Sequence, residues 1–443
     1  MRRGGQVPSS RPLNASAPGR AWLIWGAGAF VYLLALFHRA SFGVAGLDAA
    51  ERFGVGAAGL GTFTVLQVGV YAAMQIPTGL LVDRYGPRAV LTAAALMLGS
   101  GQVLLALVDT YALGLLARGV LGVGDALAFV SVLRLAANHF PGRQYVLVTT
   151  LTGSLGFVGN LAATLPLALL LSGPGWTPTF LVAGLVTLGY VVVVLAAVRD
   201  TPERRTASAE AKSLAEVGGD LRAAWRVPGT RLGFWTHFSM PFSLNVMTLL
   251  WGVPYMVEEL GYSETSASSL LMVFVIGAML SNPLAGGFFS RRPDLRMPTV
   301  LGYGALLTLT WAVLLAWPGQ VPIAVLVVAF VLMSLGAPVS SVGFALVRDY
   351  NPLPRVGTAT GAVNVGGFCA TTAASLLVGV LLELTGGAYR IALLAIVAVL
   401  VFGTSRVVVW FRRARAAVLA AQERGEDVPV PVTRTRWDLA SVA

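Results

Sequence analysis

Three charged side chains lie where an apolar chain should carry none. Arg39 closes the run Tyr32-Leu33-Leu34-Ala35-Leu36-Phe37-His38, and Arg118 and Asp125 lie inside a second apolar run. A guanidinium in a low-dielectric cavity is a fork-shaped receptor for a carboxylate or phosphate. Asp125 is the one acid deep within any apolar run. A charge at such depth costs at least ~3 kcal/mol unless paired or hydrated. Arg118 precedes Asp125 by two helical turns and shares its stripe. The pair reads either as cavity-facing groups, with Arg118 tuning the acidity of Asp125, or as an ion pair clipping helices together. Tyr32 falls on the face of Arg39, whereas His38 points about 100° away and is either structural or a proton relay. Gln67, Tyr71 and Gln75 recur at helical spacing as one polar stripe, read as a cavity lining in preference to helix–helix hydrogen bonding. Asn364, in Gly361-Ala362-Val363-Asn364-Val365-Gly366-Gly367, either meets a bound molecule or bonds a neighbouring helix.

These residues need scaffolding, and composition says of what kind. Of 443 residues 56% are hydrophobic and 12% charged, with mean hydropathy +0.76. A soluble domain carries about twice that charge, so what fits is a polytopic membrane protein. The lone cysteine, Cys369, can form no intrachain disulfide and is read as a small packing residue. A bilayer span takes about 20 apolar residues. Twelve stretches qualify: 21–45, 57–82, 88–107, 111–137, 145–171, 177–198, 231–257, 264–289, 298–317, 322–347, 357–384 and 388–411. They are called spans 1 to 12. The first is too long for a cleavable leader and lacks a small-residue cleavage site.

A charged linker at 199–230, with an amphipathic helix expected inside it, parts the spans six and six. The division is therefore an N-tail at 1–20, a bundle at 21–198, the linker, a bundle at 231–411 and a C-tail at 412–443. The formal charge of +11 is sorted along the chain. Arg84, Arg88, Arg143, Arg291, Arg292, Arg296 and Arg355 lie in even-numbered connections, and acids dominate the odd ones. Short-loop arginine marks the cytoplasmic side, which puts both termini in the cytoplasm of an inner (plasma) membrane protein. No aromatic-interleaved basic stripe points to nucleic acid. There is also no Walker A loop, metal-ligand cluster, nucleophile elbow or dinucleotide fingerprint, so neither metal, cofactor nor enzyme activity is expected.

The two halves repeat. Gly79-Leu80-Leu81-Val82-Asp83-Arg84-Tyr85-Gly86-Pro87-Arg88 after span 2 returns 208 residues later as Gly287-Phe288-Phe289-Ser290-Arg291-Arg292-Pro293-Asp294-Leu295-Arg296. Thr150-Leu151-Thr152-Gly153 returns at the same offset as Thr358-Ala359-Thr360-Gly361. Two six-helix bundles with a midplane site between them is an arrangement of this kind. The 79–88 loop resembles the signature loop of the major facilitator superfamily at every key position. The resemblance implies a conformational latch built on Gly79, Asp83, Arg84, Gly86 and Arg88. Arg118-Gly119-Val120-Leu121-Gly122 resembles the superfamily's R-x-x-x-G helix. Arg39, Gly124-Asp125-Ala126, His139-Phe140-Pro141 and the Asn364 motif resemble its anion:cation symporter branch, where the span 1 arginine holds the substrate's anionic group and the span 4 acid couples protons. His38 departs from the acid usual at that position. The organophosphate antiporters also resemble this chain in span 1, but their second arginine, in span 7, has no counterpart among His237, Ser239 and Asn245. Gly153, Gly156 and Gly159 resemble a softened antiporter motif without its Gly-Pro pair.

The resemblance implies an all-α major facilitator fold with twelve spans in two pseudo-symmetric bundles. It implies a monomeric secondary transporter of a small-molecule solute, working by rocker-switch alternating access in the lipid bilayer. The expected solute is an organic anion moved with protons. Tyr32, Arg39, Gln67, Tyr71 and Asn364 would bind it, and Asp125, Arg118 and His38 would couple the proton. The alternatives are a proton-driven exporter of drug-like compounds or metabolites and a transport-fold sensor docking a partner through 199–230.

Overall fold

Lipid offers no partner to a bare N–H or C=O, so each apolar run must close its own hydrogen bonds as helix. The computed structural model describes residues 19–140, 142–200, 214–351 and 353–424. Twelve helices there are long and apolar enough to cross a membrane, and among the described residues there is no strand. Spans 1 to 6 are Gly19–Val44, Ala57–Gln75, Arg84–Leu107, Tyr111–His139, Leu147–Ser172 and Trp176–Ala197. Spans 7 to 12 are Pro228–Glu259, Glu264–Phe289, Arg296–Ala316, Ile323–Val347, Thr358–Leu384 and Tyr389–Ala421.

Several of these helices are broken where the sequence leaves the ladder weak. Spans 2 and 3 form one helical run from Ala57 to Leu107, interrupted at Gly86, whose φ of 81° is open to glycine. Pro87 then starts the second helix. Span 7 is wound as π-helix at Met247–Trp251 and Tyr255–Glu259, with Pro254 between them. Span 12 continues as helix to Glu423, beyond the apolar stretch ending at 411, because Phe411, Ala414 and Val418 keep a buried face. In the linker, Leu214–Arg226 is the expected helix. It rests on the second bundle through Ala224, which clusters with Val347, Ala359 and Val363.

Within each bundle, glycine lets helices touch backbone to backbone. Gly184 meets Gly99 and Val103 between spans 6 and 3, and Gly233 meets Gly343 between spans 7 and 10. The bundles meet each other on the side of the odd-numbered loops. There Gly43 abuts the Thr248 backbone, Gly61 abuts Ser375, and Gly379 abuts Ala57. Trp251 adds a hydrogen bond from its Nε1 to the Ser375 carbonyl at 2.9 Å. Spans 2 and 11 run antiparallel along this contact.

Candidate functional site

Gly122 and Gly124 bring span 4 close to its neighbours. A side chain at Gly122 would collide with the backbone of Gln67 in span 2, and one at Gly124 with Ala94 and Leu98 in span 3. The next residue is Asp125, which is thereby held in the bundle wall with no solvent exposure.

Its partner comes from span 1. Arg39 donates from Nε to Asp125 Oδ2 at 2.6 Å and from Nη2 to Oδ1 at 2.7 Å. The geometry is two-pronged, the strongest form of such a pair. The carboxylate is fully covered and the guanidinium side chain is 12% exposed. The Arg39 Cζ lies 4.2 Å over the Tyr71 ring and 5.5 Å from the Phe368 ring. A desolvated cation over an aromatic face gains up to ~2 kcal/mol. Tyr71 and Phe368 contact each other with centroids 4.7 Å apart, and Asn364 lies against the Tyr71 side chain. Gln67 is buried beside the Asp125 carboxylate with neither amide atom hydrogen-bonded. Thus Arg39, Asp125, Gln67 and Tyr71 of the first bundle meet Asn364 and Phe368 of the second.

The other expected site residues fall around this centre. Tyr32 packs against Phe129 at 5.0 Å on its rim, within electrostatic reach of Arg39 and Asp125. Arg118 is 1% exposed and is not hydrogen-bonded to Asp125. Its Nη1 donates to the His38 carbonyl at 3.4 Å, and its Cζ stands 4.5 Å over Phe42. Two helical turns put about 10 Å between the two Cα positions, so Arg118 faces span 1 inside the bundle. His38 is fully buried, its Nε2 2.8 Å from the Thr187 hydroxyl and its other side towards Gln102. The structure therefore does not bring His38 to Asp125. Among the described residues, Gln75 bonds only its own helix, from Nε2 to the Tyr71 carbonyl at 3.4 Å.

At the loop after span 2, Gly79 faces open space and Arg84 lies 5.3 Å over Tyr85. The Arg88 N–H donates to Asp200 Oδ1 at 3.1 Å, and Arg88 Nη2 to the Leu195 carbonyl at 2.7 Å. The side chain of Asp83 lies outside the described residues. Asp200 and Phe368 were not foreseen. Asp200 is hidden among linker charges, but Phe368 follows Asn364 by one helical turn, and that spacing could have flagged it.

A membrane protein of two six-helix bundles, with an ionised site where they meet, is the architecture of a secondary carrier. The sequence model of the Major Facilitator Superfamily matches residues 28–319 and 233–440, and the chain belongs to that superfamily, whose members are transporters and not enzymes. Over 384 residues it is 27% identical to "Probable sulfoacetate transporter SauU" of Cupriavidus necator, covering 82% of this chain and 88% of the relative. Over 382 residues it is 24% identical to "Probable galactarate/D-glucarate transporter GarP" of Escherichia coli, covering 78% and 84%. Among solved structures, a bacterial homologue of the human lysosomal transporter Spinster, inward-facing and occupied, superposes with a TM-score of 0.69 at 16% identity. That match covers 90% of this chain and 98% of the other.

Proposed function

We propose that this transporter carries a small organic anion together with protons. The observation that carries the reading is the Arg39–Asp125 pair at the bundle interface. Asp125 occupies the guanidinium edge that an incoming carboxylate would need. A proton on Asp125 weakens that pair and frees Arg39, so anion and proton load together. Tyr71 and Phe368 hold the guanidinium in place, while Gln67 and Asn364 offer neutral hydrogen bonds to the rest of the solute. Tyr32 closes the rim. Arg118 and His38 act on Asp125 indirectly, through the field and packing of span 1. The names of the two relatives, a sulfoacetate and a galactarate/glucarate transporter, support an acidic solute.

The bundles at 21–198 and 231–411 rock about this site in a monomer. With the arginine-rich loops and both termini cytoplasmic, the conformation sealed on the odd-loop side is inward-facing. The 79–88 loop, tied to Asp200, steadies one of the two states. Purified protein in proteoliposomes tests the reading. Small organic acids should be taken up against their gradient when a pH gradient is imposed, and Arg39→Ala should abolish both uptake and ligand-induced thermal stabilisation. Uptake by Arg39→Ala equal to that of the parent chain would overturn the assignment.

A further inference from the structure

Spans 7 and 12 lie side by side in the second bundle, and at their even-loop ends each sets arginine among aromatic side chains. Arg231, Trp235 and Phe238 fall on one stripe of span 7, and Phe402, Arg406, Trp410 and Arg413 on one stripe of span 12. The two stripes interleave in antiparallel order. The Arg231 Cζ lies 4.7 Å over the Trp410 ring, and the Arg406 Cζ 5.5 Å over the Trp235 ring. Trp235 then meets Phe402 edge-on, with centroids 5.5 Å apart. The linker helix closes the end of this seam. Its Trp225 ring lies 5.8 Å from the Arg231 Cζ, and the Trp225 carbonyl accepts from Arg231 Nε at 2.7 Å. A further cation, Arg413, stands 4.9 Å over the same Trp410 ring.

The seam thus gathers three guanidinium charges, and among the described residues no carboxylate is paired with any of them. An arginine near a helix end ordinarily extends its head into water. These are held otherwise. Arg231 is clasped between two indoles, and Arg406 rests on Trp235, the residue level with it on the facing helix. Two guanidiniums over one indole repel each other unless an anion is shared between them. A buried indole N–H usually finds an acceptor, yet Trp410 is 7% exposed and its Nε1 has no hydrogen-bond partner among the described residues. Towards the bilayer centre the seam turns apolar and opens outward at Phe402, which is 53% exposed. Cations and a spare N–H donor at the membrane surface, continued by an aromatic face turned to lipid, complement a phosphodiester that carries an acyl chain. We propose that the seam between spans 7 and 12 binds an anionic phospholipid. Arg231, Arg406, Arg413 and Trp410 Nε1 hold its phosphodiester, and one acyl chain lies along Trp235 and Phe402. Lipid binding there is independent of which solute the chain carries.

Purified protein in neutral detergent can be titrated with phosphatidylglycerol, with phosphatidylcholine of the same acyl chains and with glycerol 3-phosphate, read by thermal shift and native mass spectrometry. Phosphatidylglycerol should raise Tm and remain bound in the mass spectrum, and the other two should do neither. Arg406→Gln and Arg413→Gln should each weaken phosphatidylglycerol binding about fivefold, the share of one cation facing an anionic headgroup. Trp410→Phe keeps an aromatic ring but loses the N–H, and should weaken it as well. Arg291→Gln removes an exposed arginine at the even-loop end of span 8 and should leave the affinity unchanged. An equal loss in Arg291→Gln and Arg413→Gln would reduce the effect to overall charge and overturn the proposal. Equal stabilisation by phosphatidylcholine would overturn it too. Stabilisation by glycerol 3-phosphate that matches phosphatidylglycerol would make this a site for free phosphate esters and refute the lipid assignment. If Arg406→Gln or Trp410→Phe fails to fold, Arg413→Gln decides, because Arg413 is exposed: unchanged phosphatidylglycerol binding in that variant refutes the site.

Discussion

On the proposed mechanism, Asp125→Asn should separate binding from coupling. The variant keeps the shape of the side chain and one oxygen for Arg39, but cannot carry the proton. In the structure it exchanges a two-pronged charged pair, at 2.6 and 2.7 Å, for a single neutral acceptor. Removing one partner of a buried pair costs ~3–5 kcal/mol. Because Arg39 keeps some exposure and one hydrogen bond survives, the loss should be about 2 kcal/mol, in the range of one charge-assisted bond. The functional effect is larger. One proton moving down a pH difference of one unit supplies about 1.4 kcal/mol, which sustains roughly a tenfold solute gradient. With the membrane potential clamped at zero, parent proteoliposomes should therefore accumulate a transported organic acid about tenfold per pH unit for each coupled proton. Asp125→Asn should stop at equal concentrations while still exchanging labelled for unlabelled solute. Uphill accumulation by this variant would show that the proton travels elsewhere and would refute the reasoning.

Further tests follow from the same geometry. Arg39→Lys keeps the charge and loses the fork, and should weaken anion binding at least tenfold, about 1.4 kcal/mol, as read from ligand-induced thermal shifts. Phe368→Leu should weaken binding less, since Tyr71 still covers the guanidinium, and isothermal titration can rank the two. His38→Asn, remote from Asp125, should preserve uphill accumulation, and its loss with exchange intact would make His38 the coupling group. Asp48, on the short helix Gly46–Phe53, has its carboxyl pushed above the ordinary carboxylate value by burial and by the charges of Glu264, across the bundle interface, and Glu51. A raised carboxyl binds its proton more tightly in the closed odd-side state. Its stabilisation of that state is complete below the ordinary value and is lost as pH rises through the raised one. Maleimide labelling of Ser375→Cys, buried in the odd-loop contact, in a Cys369→Ser background should therefore increase with pH over that window and lie flatter once Asp48→Asn is added.

Much of the fold was legible because hydropathy is additive along a helix and a lipid-facing run needs no knowledge of its neighbours. The breaks were less so. Gly86 and Pro87 announce theirs, but the π-turns of span 7 and the helical continuation to Glu423 depend on which faces are buried in the packed bundle. At the site, Arg39 and Asp125 stood out in the sequence because charge in an apolar run is costly wherever the helix sits. Their partnership did not. Spacing on one helix placed Arg118 beside Asp125, yet two turns is too far for a hydrogen bond, and span 1 supplies the nearer guanidinium from 86 residues away.

The sequence alone thus determined the number of spans, the six-plus-six division, the internal repeat and the few deep charges, all consequences of the local cost of placing each residue type in lipid. Tertiary structure decided which arginine holds Asp125, that Phe368 and Asn364 of the second bundle lie against the Arg39–Tyr71 pair, and that His38 turns away towards Thr187. It also decided which glycines are in contact and which stand open. Those outcomes rest on how helices distant in sequence cross and rotate against one another, where a turn of about 100° per residue moves a side chain from the cavity into the bundle wall.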